Sequence, residues 1–353
     1  TRLAAAAAIC AVAALTGKPL TAGAAELSAF TGTIAGYSGN IAGGCTTSGP
    51  PVELDFFSGQ AAGLQVLGGN AACGFAGGYS IRTSTGNTAP LFNSTSLPPT
   101  KLAPSPNAKY FDATADSRAS YGSLSARAHG NYSGPVVSYY DNASAAAVAA
   151  ATFSDTLTAV LPVGYANVSP LGFVRYQFTL DGRASAPGPR TPFLNGSAST
   201  GFNIQHDGGS ISTLLRASVS TDTAADIRGA AAGAGWTLGN GSFSGGASFD
   251  SGLFAIDLTK PWTFKAGLIV NVWGEADNDF YSTARLVGID LFDAQRQPIA
   301  GYGIRTASGV DYLAAPVPEP ASAALLGLGL LALASRVRAR RPFSAEAGVP
   351  AAG

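Results

Sequence analysis

Two histidines, three cysteines, three tryptophans and one run of spaced carboxylates are the residues of this 353-residue chain best suited to chemistry. A Ser-His-Asp or Cys-His mechanism would have to use His129 or His206, because no other histidine exists. Neither lies near a Gly-x-Ser-x-Gly elbow or an His-Glu-x-x-His helix, and the chain has neither motif. His206-Asp207 stands directly before Gly208-Gly209, which reads as a turn. Glu275, Asp277 and Asp279 flank Asn278. Oxygen ligands spaced this way suit calcium, which takes about six to eight of them, but an acidic loop after a strand ending at Trp273 has the same composition. Trp236, Trp262 and Trp273 could stack on sugars if exposed together, or fill a core. The glycine-rich stretches 229–235 and 239–241 do not join a strand to a helix, so they read as turns rather than phosphate loops. Six Asn-x-Ser/Thr sequons, at Asn93, Asn131, Asn142, Asn167, Asn195 and Asn240, follow from the abundance of Ser and Thr. No catalytic residue, cofactor or metal is assigned, and the chain is expected not to be an enzyme.

The elements that must carry these residues are strands. Charged residues make up 12% of the chain and Gly 45 positions, a composition that disfavours long helices. Stretches 121–128, 152–160, 173–180, 211–219, 253–258, 262–273, 281–292 and 299–306 alternate or are rich in β-branched and aromatic residues, with turn residues between them. The stretch FVRYQFTL alternates and stops at Asp181-Gly182, read as a turn pair. The alanine-rich stretch 143–151 is read as strand because it runs directly into 152–160. Residues 52–57 and 64–67 are further short strand candidates, and 97–106, opened by Leu97-Pro98-Pro99, reads as a long loop. No β-α-β alternation appears. The expected fold is mainly β: an antiparallel β-sandwich, jelly-roll-like or Ig-like, over 111–315. A Gly/Ser/Thr-rich part, 25–110, precedes it.

The two ends are different in kind. Arg2 is followed by an apolar run over 3–15, too short to span a bilayer comfortably, and Ala22-Gly23-Ala24 offers a small-x-small cleavage pattern. Residues 1–24 are therefore expected to be a signal peptide, handled by the Sec machinery and signal peptidase, and cleaved near Ala24 or Ala25. Cys10 leaves with it. Cys45 and Cys73 remain, and in an exported protein the default is a disulfide, worth about 3–4 kcal/mol in the chain-entropy model. Two buried free thiols are the other possibility. Six of the 21 basic residues and two of the 21 acidic ones lie in the end segments, which leaves a body of net charge −4 without a basic patch. That excludes nucleic acid as an expected partner.

At the other end, residues 321–334 carry no charge. As a helix they would reach about 21 Å, short of the roughly 30 Å hydrocarbon layer, but Arg336, Arg338, Arg340 and Arg341 follow at once. Arginine stems snorkel, and arginines hold the cytoplasmic side. A short transmembrane helix over 321–334 with the body outside is expected. Before it stand Val317, Pro318, Glu319 and Pro320, kept extended by the prolines. This order, Pro-Glu-Pro, apolar helix and arginine cluster over 316–341, resembles the PEP-CTERM sorting signal.

The resemblance implies recognition of Val317 to Pro320 by an exosortase, a membrane-embedded cysteine protease or transpeptidase. It also implies stop-transfer by the four arginines and a cytosolic tail over 342–353. It further implies export across the inner membrane of a Gram-negative bacterium, membrane anchoring before processing, and then the cell surface or extracellular matrix, with extracellular polysaccharide a candidate partner. Three roles follow in order of preference: a structural or adhesive surface protein, a carbohydrate-binding module, and a secreted hydrolase.

Overall fold

The alternating stretch FVRYQFTL lies inside a 15-residue strand whose even-numbered residues from Val174 to Leu180 are buried, while the odd-numbered residues between them are half-buried. That strand, with one face on a core and one toward solvent, belongs to one of two eight-stranded sheets in a computed structural model. The structure describes residues 25–37, 54–57, 75–102, 110–133, 143–165, 169–187, 196–233 and 235–313. All of these belong to one structural unit, Thr1–Leu313. Residues from Ala314 onward, the expected signal peptide, Cys45 and Cys73 lie outside the described residues. The two expected terminal helices fall there too. Among the described residues no helix is long and apolar enough to cross a membrane.

Strands are numbered in chain order. The first sheet runs β10 (Asp226–Arg228), β9 (Ile211–Ser220), β8 (Ser197–His206), β14 (Trp262–Trp273), β6 (Ala143–Val160), β1 (Glu26–Tyr37) and β2 (Phe75–Thr85), with β16 (Gly303–Thr306) also on β6. The second runs β11 (Trp236–Gly239), β12 (Ser242–Asp250), β7 (Leu171–Ser185), β15 (Ala276–Phe292), β5 (Ser123–Ser133), β4 (Tyr110–Ser120) and β3 (Leu91–Lys101), with β13 (Phe254–Asp257) also on β7. Every pairing is antiparallel. The result is an antiparallel β-sandwich. Strands from before and after residue 110 share both sheets.

Aromatic rings fill the space between the sheets. Tyr176 stacks on Phe264 at 4.0 Å between centroids, and Phe178 meets Phe202 edge-on at 5.0 Å. Each such side chain contributes about 1.5–3 kcal/mol by leaving water. The alanine-rich strand β6 crosses the middle of the first sheet, between β1 and β14. Ala145, Ala147, Ala149 and Ala151 join this inner core, whereas Ala146, Val148 and Ala150 belong to a second apolar cluster with Phe30, Ile34 and Ile269. A strand covered on both faces has no polar face to show, which explains why 145–151 lacks alternation.

Three sequence expectations change. Within the expected strand 52–57, the described residues Leu54–Phe57 form a 3-10 turn that sets Phe56 and Phe57 on the second cluster. The side-chain amide of Asn203 donates to the Phe56 carbonyl at 2.5 Å, and Lys265 lies 4.8 Å above the Phe56 ring. Gly267 leaves room for both rings, because a Cβ there would sit 2.9 Å from Phe57 and closer still to Phe56. Second, residues 97–101 are not loop but the end of the edge strand β3, where a register shift between Leu97 and Thr100 absorbs the two prolines. Third, Asp181-Gly182 is not a turn. The strand continues to Ser185 because Phe280 packs under Gly182, where a Cβ would lie 2.5 Å from the ring.

Candidate functional site

The two histidines have separate surroundings. His206 ends β8 at a tight hairpin whose central residues, Asp207 and Gly208, both take the left-handed backbone (φ 49° and 67°), with the Gly209 amide donating to the His206 carbonyl at 2.8 Å. The expected turn is therefore present. The His206 ring is buried against Phe254 at 4.9 Å. Its Nδ1 lies 3.0 Å from the Tyr176 hydroxyl, which accepts from Trp262 Nε1 at 2.9 Å. A neutral ring whose Nδ1 accepts a hydrogen bond from the Tyr176 hydroxyl, and which donates to the Ala255 backbone, satisfies the whole chain of bonds. Burial pushes the imidazole below its ordinary value. This histidine organises the core rather than meeting solvent.

His129 stands on the outer face of the second sheet, 3.6 Å from Asp277, which holds the imidazole above its ordinary value. It is part of a charged surface built by strand register. Asp116 faces Arg127, Arg127 faces Asp279, and Asp279 faces Arg183, across β4, β5, β15 and β7. Arg127 meets Asp116 at 2.7 Å and Arg183 meets Asp279 at 3.6 Å. The same face carries four arginine–ring stacks: Arg118 on Phe92, Arg127 on Tyr281, Arg175 on Phe292 and Arg296 on Phe173, at 4.8–5.3 Å. Exposed pairs of this kind add little stability, about 0–1 kcal/mol each, but they fix where the side chains point.

Of the three carboxylates weighed for calcium, Asp277 and Asp279 are in strand β15, not in an acidic loop, and each is paired with a basic group. Among the described residues no group of three His, Cys, Asp or Glu side chains is placed to hold a metal ion. The tryptophans do not share a face. Trp262 is buried, Trp236 donates to the Ala231 carbonyl at 2.8 Å, and Trp273 is exposed on the outer side of the first sheet. Asn93, one of the sequons, is buried and donates to the carbonyls of Ala29 and Ser80, tying β3 to the first sheet.

Sequence reasoning missed two features. One is a shallow groove of about 270 Å³ on the charged face, lined by Asp181, Gly182, Arg183, Ser244, Gly245, Asp279 and Tyr281. Its walls come from strands about 100 residues apart, so only the register reveals it. The other is a clasp at the end of the sandwich. Asp155 on β6 is buried and accepts from Ser308 Oγ at 2.5 Å, Ser308 N at 3.1 Å and Tyr312 Oη at 2.8 Å. Burial, with the nearby carboxylate, drives the Tyr312 phenol well above its ordinary value, so it remains a donor. The clasp closes over the last described residues before the tail.

Val317, Pro318, Glu319, Pro320, Arg336, Arg338, Arg340 and Arg341 lie outside the described residues. A family model decides the nature of that segment: residues 316–341 match the PEP-CTERM protein-sorting motif. This chain carries a PEP-CTERM sorting signal. The motif indicates an exosortase-sorted extracellular protein, processed at the membrane and destined for the cell surface. No curated protein and no solved structure matches the chain.

Proposed function

We propose that this chain is a structural or adhesive protein of a Gram-negative bacterial surface or extracellular matrix, released from its membrane tail by an exosortase, and that its body is not an enzyme. The match of residues 316–341 to the sorting motif carries this reading. Within it, Val317, Pro318, Glu319 and Pro320 present an extended backbone to the protease, residues 321–334 hold it in the membrane, and Arg336, Arg338, Arg340 and Arg341 stop transfer. Two features of the body support the rest. His206 is committed to a buried network, and His129 stands on an open sheet face beside Asp277. Strand β1 starts at Glu26 with Ala25 already buried, so cleavage near Ala24 or Ala25 would free a terminus at the start of a strand paired on both sides.

Intact-mass analysis of the protein recovered from the bacterium that makes it tests this directly. The reading expects a C-terminus at or before Pro320 in the surface fraction. Replacing Pro318, Glu319 and Pro320 with alanine should leave the full-length chain in the membrane. A full-length C-terminus on mature surface protein, unchanged by that replacement, would overturn it.

A further inference from the structure

The groove on the charged face of the second sheet is shaped by what is missing from its floor. Gly182 on β7 and Gly245 on β12 are cross-strand partners, and Gly246 stands opposite Asp181. Gly182 and Gly245 line the groove with bare backbone, and only Gly246, on the same face as Asp181, leaves out a side chain on the outer side. A Cβ at Gly246 would sit 2.8 Å from the Asp181 Cβ, so a larger residue there would crowd this wall. The walls are chemically mixed: the Tyr281 ring, the carboxylates of Asp181 and Asp279, the Arg183 guanidinium and the Ser244 hydroxyl. They are also held in place. Arg127 lies 4.8 Å from the Tyr281 ring centroid and is itself fixed by Asp116 at 2.7 Å, while the Tyr281 amide donates to Asp279 at 3.0 Å.

We propose that this groove binds one sugar ring of a neutral extracellular glycan. An aromatic wall suits the C–H face of a pyranose, carboxylates accept from paired hydroxyl groups, and a guanidinium and a serine hydroxyl donate to ring and hydroxyl oxygens. Walls fixed before binding reduce the ordering cost that weakens most exposed sites. The groove is shallow and open to solvent, so a longer chain can extend beyond one seated ring. Its charge selects the class of sugar. Two carboxylates against one guanidinium repel a polyuronate and tolerate a neutral chain. The proposal rests on the surface reading only for its setting, since an exported adhesive protein meets glycans. Binding is measured on the purified chain and sorting on the cell, so either can fail without the other.

The test is titration of the purified full-length chain, in detergent, with neutral hexasaccharides. The set is α-1,4-glucan, β-1,4-glucan, β-1,4-mannan and β-1,4-galactan, with an oligogalacturonate of equal length as the charged control. At least one neutral hexasaccharide should bind saturably and the oligogalacturonate should bind at least about tenfold more weakly. Tyr281→Ala should weaken binding at least about tenfold and Tyr281→Phe should retain it. Asp181→Ala, at an exposed position, gives a second reading of the groove should Tyr281→Ala fold poorly, and it should also weaken binding. Silence from all four neutral chains overturns the proposal. So does equal binding by the altered and parent proteins, or a preference for the uronate.

Discussion

Replacing Asp155 tests whether the clasp at the end of the sandwich is a cooperative unit. The carboxylate is buried and serves four donors: Ser308 Oγ, Ser308 N, Tyr312 Oη and the Thr156 amide. A buried donor left without its acceptor costs about 1–3 kcal/mol. Asp155→Ala strands all four, but Ser308 belongs to a surface turn that can rehydrate, so about 3 kcal/mol is expected. Asp155→Asn keeps one oxygen and the shape, and should cost about half as much. Tyr312→Phe removes a single donor and should cost about 1 kcal/mol. Because the groups share one acceptor, the double change Asp155→Asn with Tyr312→Phe should cost less than the two singles added, by at least about 0.5 kcal/mol. Urea unfolding of the four variants reads these values as midpoint shifts at constant slope. Limited proteolysis should cut the alanine variant first within 307–313. Additive costs, or an Asp155→Asn protein as stable as the parent, would refute the account of a shared buried acceptor.

Three further outcomes are expected. His206 has its folded value lowered by burial, so the unfolded chain binds the extra proton first, and stability falls as pH drops below about 6.5. His206→Phe should flatten that part of the stability–pH curve relative to the parent. Gly267→Val should force Phe56 and Phe57 off the outer cluster and cost about 1–3 kcal/mol, read by thermal unfolding. The Tyr121 hydroxyl is buried with no partner among the described residues, and burial pushes its phenol up to about 12. Tyr121→Phe should therefore raise stability by about 1 kcal/mol in urea, and should reduce the loss of stability that the parent shows between pH 10 and 12.

Some of this was legible in the sequence because the signal is local. Strand β14 spans the expected 262–273, since alternation and β-branched content are properties of neighbouring residues. The His206-Asp207-Gly208 hairpin announced itself by the residue types that tolerate the left-handed backbone. Where burial comes from both sides, the pattern vanishes. Strand β1, ELSAFTGTIAGY, lies inside its sheet between β6 and the edge strand β2 and has no alternation to show, because covered strands with small residues look like loop. Pro98-Pro99 misled because prolines are tolerated on an edge with a register shift, and nothing local says that β3 is an edge. Gly182 misled because its reason is Phe280, which is distant in sequence. The groove walls share that difficulty: Asp181 and Tyr281 become neighbours only through the pairing of β7 and β15.

The position of Asp155 also decides where mechanical load would go. A body tethered through its C-terminal end feels drag at residue 313, and the bonds of Tyr312 and Ser308 to Asp155 are among the first to take the strain. They pass it to β6, which is flanked on both sides by β1 and β14, so tension spreads through the interior of a sheet instead of peeling an edge.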